Sequence, residues 1–193
     1  MPPTLTLERT VYTPGQLAAI GEPQIALAGR SNVGKSSLIN CLAGRRKSLA
    51  KVSATPGKTR SLNFYLVEGH NLCLVDLPGY GYARCSKSER DKWASLIERY
   101  LETTGPSLTA VTMLLDCRLT PQKLDLDLAA WLHRLRIAIV PVLTKADKCN
   151  QTERAARVRE WQTLLAGVTP ILFSSKTGLG RDALWAKFFE MTT

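Results

Sequence analysis

Apolar and polar positions fall in alternating blocks along this chain. Ile25-Ala26-Leu27-Ala28 is a continuous apolar run, and Leu72-Cys73-Leu74-Val75, Val111 to Leu115, Ile137 to Leu143 and Ile171-Leu172-Phe173 follow it at intervals. Short runs of this kind, bounded by turn formers, read as buried strands. Ser61 to Val67 roughly alternates, as a half-exposed strand does, and the turn Glu68-Gly69-His70-Asn71 joins it to the next run. Strands joined that tightly are antiparallel. Between the strands the period becomes helical. Ser36 to Leu42 follows the first run. Ser86-x-x-Glu89 has the form of a capping box and opens a helix with Trp93, Leu96, Ile97, Tyr100 and Leu101 on one face. Thr120-Pro121 starts another, with proline at its first position and a stripe of Leu124, Leu128, Trp131, Leu132 and Leu135. Asn150 and Glu153 open a third, carrying Val158, Trp161, Leu164 and Leu165; Leu184, Trp185, Phe188 and Phe189 face inward from the last.

This alternation predicts an α/β fold: a mostly parallel six-stranded sheet with one antiparallel strand, helices on both faces and right-handed crossovers. Ligands of such sheets sit at the carboxyl ends of the strands. Residues 1–22, punctuated by Pro2, Pro3 and Pro14, read as an N-terminal extension packed on the domain as an edge segment. Residues 23–193 read as a single domain, and Gly44 to Arg60 as a basic loop. With 193 residues, 45% hydrophobic, the chain can bury one proper core. The first ten residues hold no basic segment followed by an apolar run, so no signal peptide is expected, and no stretch has the length of a membrane span. Five scattered cysteines (Cys41, Cys73, Cys85, Cys117 and Cys149) without a C-x-x-C pair fit reduced thiols in a cytoplasm rather than a disulfide frame or zinc site. His70 and His133 have no metal-ligand constellation and take no role.

Candidate chemistry begins directly after the first strand. Gly29-Arg30-Ser31-Asn32-Val33-Gly34-Lys35-Ser36 fits G-x-x-x-x-G-K-[ST], between a strand and a helix. Its glycines let backbone N–H groups close around phosphate oxygens, and the helix N-terminus adds partial positive charge. Lys35 reaches the β- and γ-phosphates, and the Ser36 hydroxyl holds Mg²⁺. Asp76-Leu77-Pro78-Gly79 ends the strand 72–75. A carboxylate there holds the metal through water, and the Gly79 N–H can approach the terminal phosphate. Thr144-Lys145-Ala146-Asp147 ends the strand 137–143. Asp147 suits the N1–H and exocyclic amine of guanine, donors that adenine does not offer at those atoms. The Lys145 stem lies along the base, and Thr144 stands where guanine-binding proteins usually have Asn. Ser174-Ser175-Lys176 can offer a backbone N–H to guanine O6. In Thr55-Pro56-Gly57-Lys58-Thr59 a threonine hydroxyl completes the metal shell when a terminal phosphate is present; Thr59 is the first choice and Thr55 the second.

Together these five motifs resemble a translation-factor-type GTPase. GRSNVGKSS, TPGKTR, DLPGYGYA and TKAD resemble the EngB (YihA) family of small bacterial GTP-binding proteins over the whole chain. The resemblance implies a Ras-like P-loop fold, GTP/GDP cycling with Mg²⁺, and a role in assembling the large ribosomal subunit that bears on division and septation. It places Ser36 and Thr59 as metal ligands. It places Gly29 to Ser36, Gly57-Lys58-Thr59-Arg60-Ser61, Asp76 to Gly79, Thr144 to Asp147 and Phe173-Ser174-Ser175 as nucleotide contacts. Lys35, Thr59 and Gly79 are the catalytic candidates, because they meet the terminal phosphate or its metal.

Charge adds a partner. The net charge is +10, and residues 23 to 67 carry eight basic side chains and no acidic one. Lys35 serves the nucleotide; the others need a polyanion or a solvated face, and the missing acids favour nucleic acid, which the resemblance makes rRNA, met through Arg45, Arg46, Lys47 and Lys51. A monomer with no membrane partner is expected. Tyr80 stands where many GTPases place a Gln after D-x-x-G, so slow intrinsic hydrolysis, accelerated by a partner, is expected. Asn32 either binds K⁺ beside the phosphates or only tightens the loop. Tyr80 and Tyr82 either stack on RNA bases or pack on a neighbouring helix. Two rivals stay open: a P-loop kinase of a small metabolite, and a non-catalytic nucleotide-bound adaptor at the division site.

Overall fold

The computed structural model describes residues 3–18, 20–44, 49–50, 61–80 and 87–192, with the backbone alone over 87–94. The strands are β1 (Leu5–Val11), β2 (Gln24–Gly29), β3 (Leu62–Val67), β4 (Cys73–Asp76), β5 (Leu108–Asp116), β6 (Ala138–Thr144) and β7 (Ile171–Leu172). The helices are α1 (Lys35–Leu42), α2 (Lys87–Thr104), α3 (Lys123–Arg134), α4 (Gln151–Leu164) and α5 (Arg181–Thr192). Spatial order in the sheet is β1-β3-β4-β2-β5-β6-β7. β3 is antiparallel to both its neighbours and every other pairing is parallel, so β3 alone runs against the rest.

The predicted fold class holds, but the strand count is corrected from six to seven. The added strand is β1, which pairs with β3 along the sheet edge. Its register shifts between Leu7 and Arg9. A bulge swaps the face on which later side chains fall. Leu5 and Val11, an even number of residues apart, consequently enter opposite cores. That break erases the alternation by which the strand would have been found.

β2 is buried along its whole length, and its alternate residues serve two layers. Ile25 and Leu27 meet Leu38, Ile39 and Leu42 of α1 and Leu184, Trp185 and Phe188 of α5. Ala26 and Ala28 face Leu96 and Tyr100 of α2 and Leu132 of α3. Trp161 of α4 packs with Met113, Leu115 and Leu143. Helices thus cover both faces, as the pattern required.

Two helix readings change. α3 starts at Lys123 with Gln122 as its N-cap, so Pro121 precedes the helix rather than opening it. Leu124 and Leu135 are exposed, as is Leu164 of α4; Asp125 takes an inward position on α3. Asn150 and Glu153 open α4 as read, and they form a capping box. The Asn150 side chain accepts from the Glu153 N–H (2.9 Å), and the Glu153 carboxylate accepts from the Asn150 N–H (2.7 Å). α2 is helical from Lys87, while Ser86, its expected cap, lies outside the described residues.

One buried polar atom is unsatisfied near the centre of the sheet. Thr112 on β5 is fully buried and its hydroxyl has no hydrogen-bond partner among the described residues. A buried orphan hydroxyl costs about 1–3 kcal/mol. Thr112→Val keeps the shape and should raise the thermal midpoint by a few degrees, an expectation a melting curve would sink by showing a fall.

Candidate nucleotide-binding site

The turn from β2 into α1 is built so that only its own residues fit. A Cβ on Gly29 would lie 2.8 Å from Val33 Cγ1 and 3.0 Å from Leu114 Cβ. Asn32 (φ 65°) and Gly34 (φ 110°) take left-handed conformations, which curl the loop. Gly34 caps α1 with no side-chain bond, leaving the first turn to a ligand. Ser36 stands in that turn, half-buried.

Lys35 is 7% exposed and its ammonium pairs with the Asp76 carboxylate, itself 2% exposed. The parallel register sets Asp76 beside Leu27 of β2, two residues before Gly29 opens the phosphate loop. The chain after Asp76 then runs along that loop. The Leu77 N–H donates to the Leu27 carbonyl (3.1 Å), the Tyr80 N–H to Gly29 (3.2 Å) and the Ser31 N–H to Tyr80 (2.9 Å). A Cβ on Gly79 would press on the Ser31 backbone at 3.3 Å. Pro78 is buried beside it.

The Tyr80 hydroxyl donates to Asp125 Oδ1 (2.8 Å). Tyr80 therefore packs on α3, the second of the two readings; Tyr82 lies outside the described residues. Burial, and then the Asp125 carboxylate, push the Tyr80 phenol far above its ordinary range. Burial also raises the Asp125 carboxyl, against the Tyr80 bond and the Arg30 charge. A carboxyl raised on folding gives most stability at low pH and loses it as pH climbs through the folded value. Asp125→Asn keeps an acceptor for Tyr80 without the buried charge. It should raise the thermal midpoint at pH 7.5, and the gain should vanish below about pH 4, where the free carboxyl is neutral. A lower midpoint at pH 7.5 would contradict this.

At the ends of β5 and β6 two residues tie the second loop to the first. The Thr144 hydroxyl, 3% exposed, lies 2.7 Å from the Val33 carbonyl and 3.0 Å from the Leu115 carbonyl. It holds backbone of the phosphate loop, the task its short hydroxyl can perform. Lys145, left-handed at φ 57°, turns its ammonium onto the Asn32 carbonyl (2.7 Å) and Asp116 Oδ2 (2.8 Å). Asp147 is half-exposed. The hydroxyl of Ser174, fully buried, donates to its Oδ1 (2.6 Å) and lowers its carboxyl below the usual range. The Ala146 N–H donates to the Phe173 carbonyl (3.0 Å), the Phe173 N–H to Leu143 (2.9 Å), and the Arg154 side chain to the Ala146 carbonyl (2.7 Å). Phe173, deep in the core, thereby anchors the turn that exposes Ser175.

Most expected site residues thus gather on one rim. Ser61 is buried at the root of β3, with its hydroxyl 3.5 Å from Asn63 Oδ1. Gly57, Lys58, Thr59, Arg60, Thr55 and the basic residues Arg45, Arg46, Lys47 and Lys51 lie outside the described residues. The sequence reading missed Asp116, Arg118 and Asp125. The first two form an acid–base pair at the carboxyl end of a strand beside the phosphate loop, a position that could have flagged them. Cys73 and Cys117, both buried, have thiols pushed up to about 12, by burial first, which suits inert thiols. No group able to hold a metal through His, Cys, Asp and Glu alone occurs among the described residues. No described helix is long and apolar enough to cross a membrane.

A glycine phosphate loop, an acidic residue on the neighbouring strand and a Lys-x-Asp loop at the carboxyl rim of this sheet define a P-loop GTPase of Ras-like fold. Comparison with known proteins agrees. Residues 24–145 match the model of a family described as "50S ribosome-binding GTPase". Proteins called "Probable GTP-binding protein EngB" are similar over nearly the whole chain. That of Oleidesulfovibrio alaskensis is 62% identical over 99% of this chain and 87% of its own length; that of Desulfovibrio desulfuricans is 65% identical over 94% and 89%. The chain belongs to the EngB family of GTP-binding proteins. A crystal structure of a probable GTP-binding protein engB shares the fold at a TM-score of 0.72 and 23% identity, covering 88% of this chain and 98% of that one. Era bound to MgGDPNP and nucleotides of 16S ribosomal RNA shares it at 0.72 and 18%, covering 89% of this chain and 57% of that one.

Proposed function

We propose that this protein is a slow GTPase that switches with its nucleotide during assembly of the large ribosomal subunit, in the cytoplasm, and that normal division and septation need it. The observation that carries the guanine reading is Asp147, lowered and oriented by buried Ser174, beside a lysine tied to the phosphate loop. The ribosomal reading is supported by the matched family's description and by the acid-free basic stretch 23–67.

GTP and GDP fit the rim with guanine on Asp147 and Ser175, Lys145 along the base, and phosphates in the 29–36 loop. Lys35, now paired with Asp76, exchanges that carboxylate for phosphate oxygens. The donor set suits Mg²⁺: the Ser36 hydroxyl, Thr59 in the basic segment, and the Asp76 carboxylate through water, all hard oxygens. Bound there, the ion neutralises charge on the terminal phosphates. The Gly79 N–H reaches the terminal phosphate. Tyr80 has no amide to orient water, and its hydroxyl is spent on Asp125. Intrinsic hydrolysis is therefore slow, and a partner that adds a transition-state charge speeds it by about a thousandfold or more. K⁺ on the Asn32 side chain, exposed beside the phosphates, is a candidate for that charge. Equal hydrolysis rates in potassium and sodium buffers, with and without ribosomes, would remove it.

Sedimentation with separated ribosomal subunits tests the ribosomal reading. The protein loaded with a GTP analogue should travel with the large subunit or its precursor, and the GDP form should not. Binding should fall steeply with salt, and reversing Arg45, Arg46, Lys47 and Lys51 to Glu should weaken it without altering GDP affinity. Binding blind to the nucleotide would argue for a passive adaptor instead.

A further inference from the structure

We propose that Asp116 is the positioning residue for Lys145, and that Arg118 orients Asp116 in turn, so that an acid–base pair at the end of β5 sets how tightly the base loop holds a guanine nucleotide. This rests on the guanine-site reading above.

Lys145 needs external support. Its backbone is left-handed, a conformation non-glycine residues keep only when their surroundings impose it. Its side chain is a flexible four-carbon stem, which lies along a base only if its far end is fixed. Two acceptors fix that end: the neutral Asn32 carbonyl at 2.7 Å and the charged Asp116 Oδ2 at 2.8 Å. Register puts the carboxylate there. Asp116 lies opposite Thr144 across β5 and β6, and the Cys117 N–H locks the pair by donating to the Thr144 carbonyl (3.0 Å).

Asp116 is itself clamped. Arg118 Nε reaches Oδ1 at 2.9 Å and Nη2 reaches Oδ2 at 2.7 Å, while the Arg118 N–H adds 3.1 Å to Oδ1. A two-pronged guanidinium of this kind fixes the carboxylate plane. Burial alone would raise the Asp116 carboxyl, yet these bonds and Lys145 hold it at about 2, so it stays charged throughout the physiological range. Asp116 is the most buried of the three side chains, at 9% exposed against 23% for Lys145 and 43% for Arg118. A cavity of about 220 Å³, lined by Arg30, Asn32, Asp116, Arg118 and Lys145 among others, opens beside it. Without the carboxylate, water rather than another side chain would meet the ammonium.

The test is a double-mutant cycle on the full chain. GDP affinity is measured by calorimetry, and release with a fluorescent GDP analogue. Asp116→Asn should weaken GDP about tenfold, through faster release, as expected for loss of one charged hydrogen bond. Arg118→Ala, a more exposed change, should weaken it about threefold and serves if Asp116→Asn does not fold. In the Lys145→Met background both should have no further effect, because the residue they act through is gone. A merely structural role would instead lower the melting point of the nucleotide-free protein and add to Lys145→Met. Such additivity, or normal GDP binding by both Asp116→Asn and Arg118→Ala, overturns the proposal while leaving the guanine site intact. Unchanged GDP affinity in Lys145→Met also overturns the proposal, whereas equal affinity for GDP and ADP in the unaltered protein overturns the guanine-site reading.

Discussion

Asp147→Ala should weaken GDP binding by about a thousandfold while ADP binding stays as it was. The carboxylate of Asp147 is lowered by the Ser174 hydroxyl and half-open to the rim, so it is charged and ready to accept. Guanine offers it two donors. Hydrogen bonds to a charged group contribute about 1.5–3 kcal/mol each, and about 1.4 kcal/mol is a factor of ten. Losing both therefore removes about three orders of magnitude. Adenine has no donor at those atoms, so its affinity has nothing to lose. Ser174→Ala removes the orienting bond, together with the acceptor for the Lys176 and Thr177 N–H groups at 3.3 Å, and should cost a few-fold. The nucleotide-free Asp147→Ala protein should melt within a few degrees of the original, because a half-exposed side chain of this kind contributes little to the fold. Parallel loss of GDP and ADP binding would mean that Asp147 acts on the phosphates or on folding, not on the base.

Lys35→Met should lower the stability of the nucleotide-free protein by about 3–5 kcal/mol, the usual result of breaking a buried ion pair. Lys35 and Asp76 are nearly inaccessible to water and paired with each other. Removing the ammonium strands a carboxylate in the interior, whereas removing both charges does not. The pair Lys35→Met with Asp76→Asn should thus recover most of the lost stability, though neither change restores nucleotide binding. For a domain of this size the single change corresponds to roughly 10 °C in the melting point. An unchanged melting point for Lys35→Met would show that the pair is not held together in the empty protein. In the empty protein each charge neutralises the other; under the proposed function, phosphate and metal would separate them.

What could be read from the sequence follows from how local each feature is. β2, β4, β5 and β6 are buried on both faces, so their apolar runs stand out without knowledge of their neighbours. The α4 capping box lies within four residues, and both its bonds form. The phosphate loop is legible because each glycine answers a local demand, whether the left-handed turn at Gly34 or the missing space at Gly29. β1 was hidden because its bulge interrupts the period, and its pairing with β3 joins residues more than fifty positions apart. The α3 stripe is narrower than its leucines suggest: Asp125, a charged residue, takes an inward position and is satisfied by Tyr80, which lies 45 residues upstream. No helical period discloses that partner. Thr144 stood out as the residue where guanine-binding proteins usually carry Asn, but its work on the Val33 carbonyl depends on two loops meeting across 111 residues. Asp116 escaped notice for the same reason: its meaning comes from the register of β5 against β6.

The most direct test of the guanine site is calorimetric titration of the purified, nucleotide-free protein with GDP and with ADP under identical conditions. A rim that reads the base through Asp147 should bind GDP at least about a thousandfold more tightly than ADP. Equal affinities for the two would contradict guanine recognition at this site.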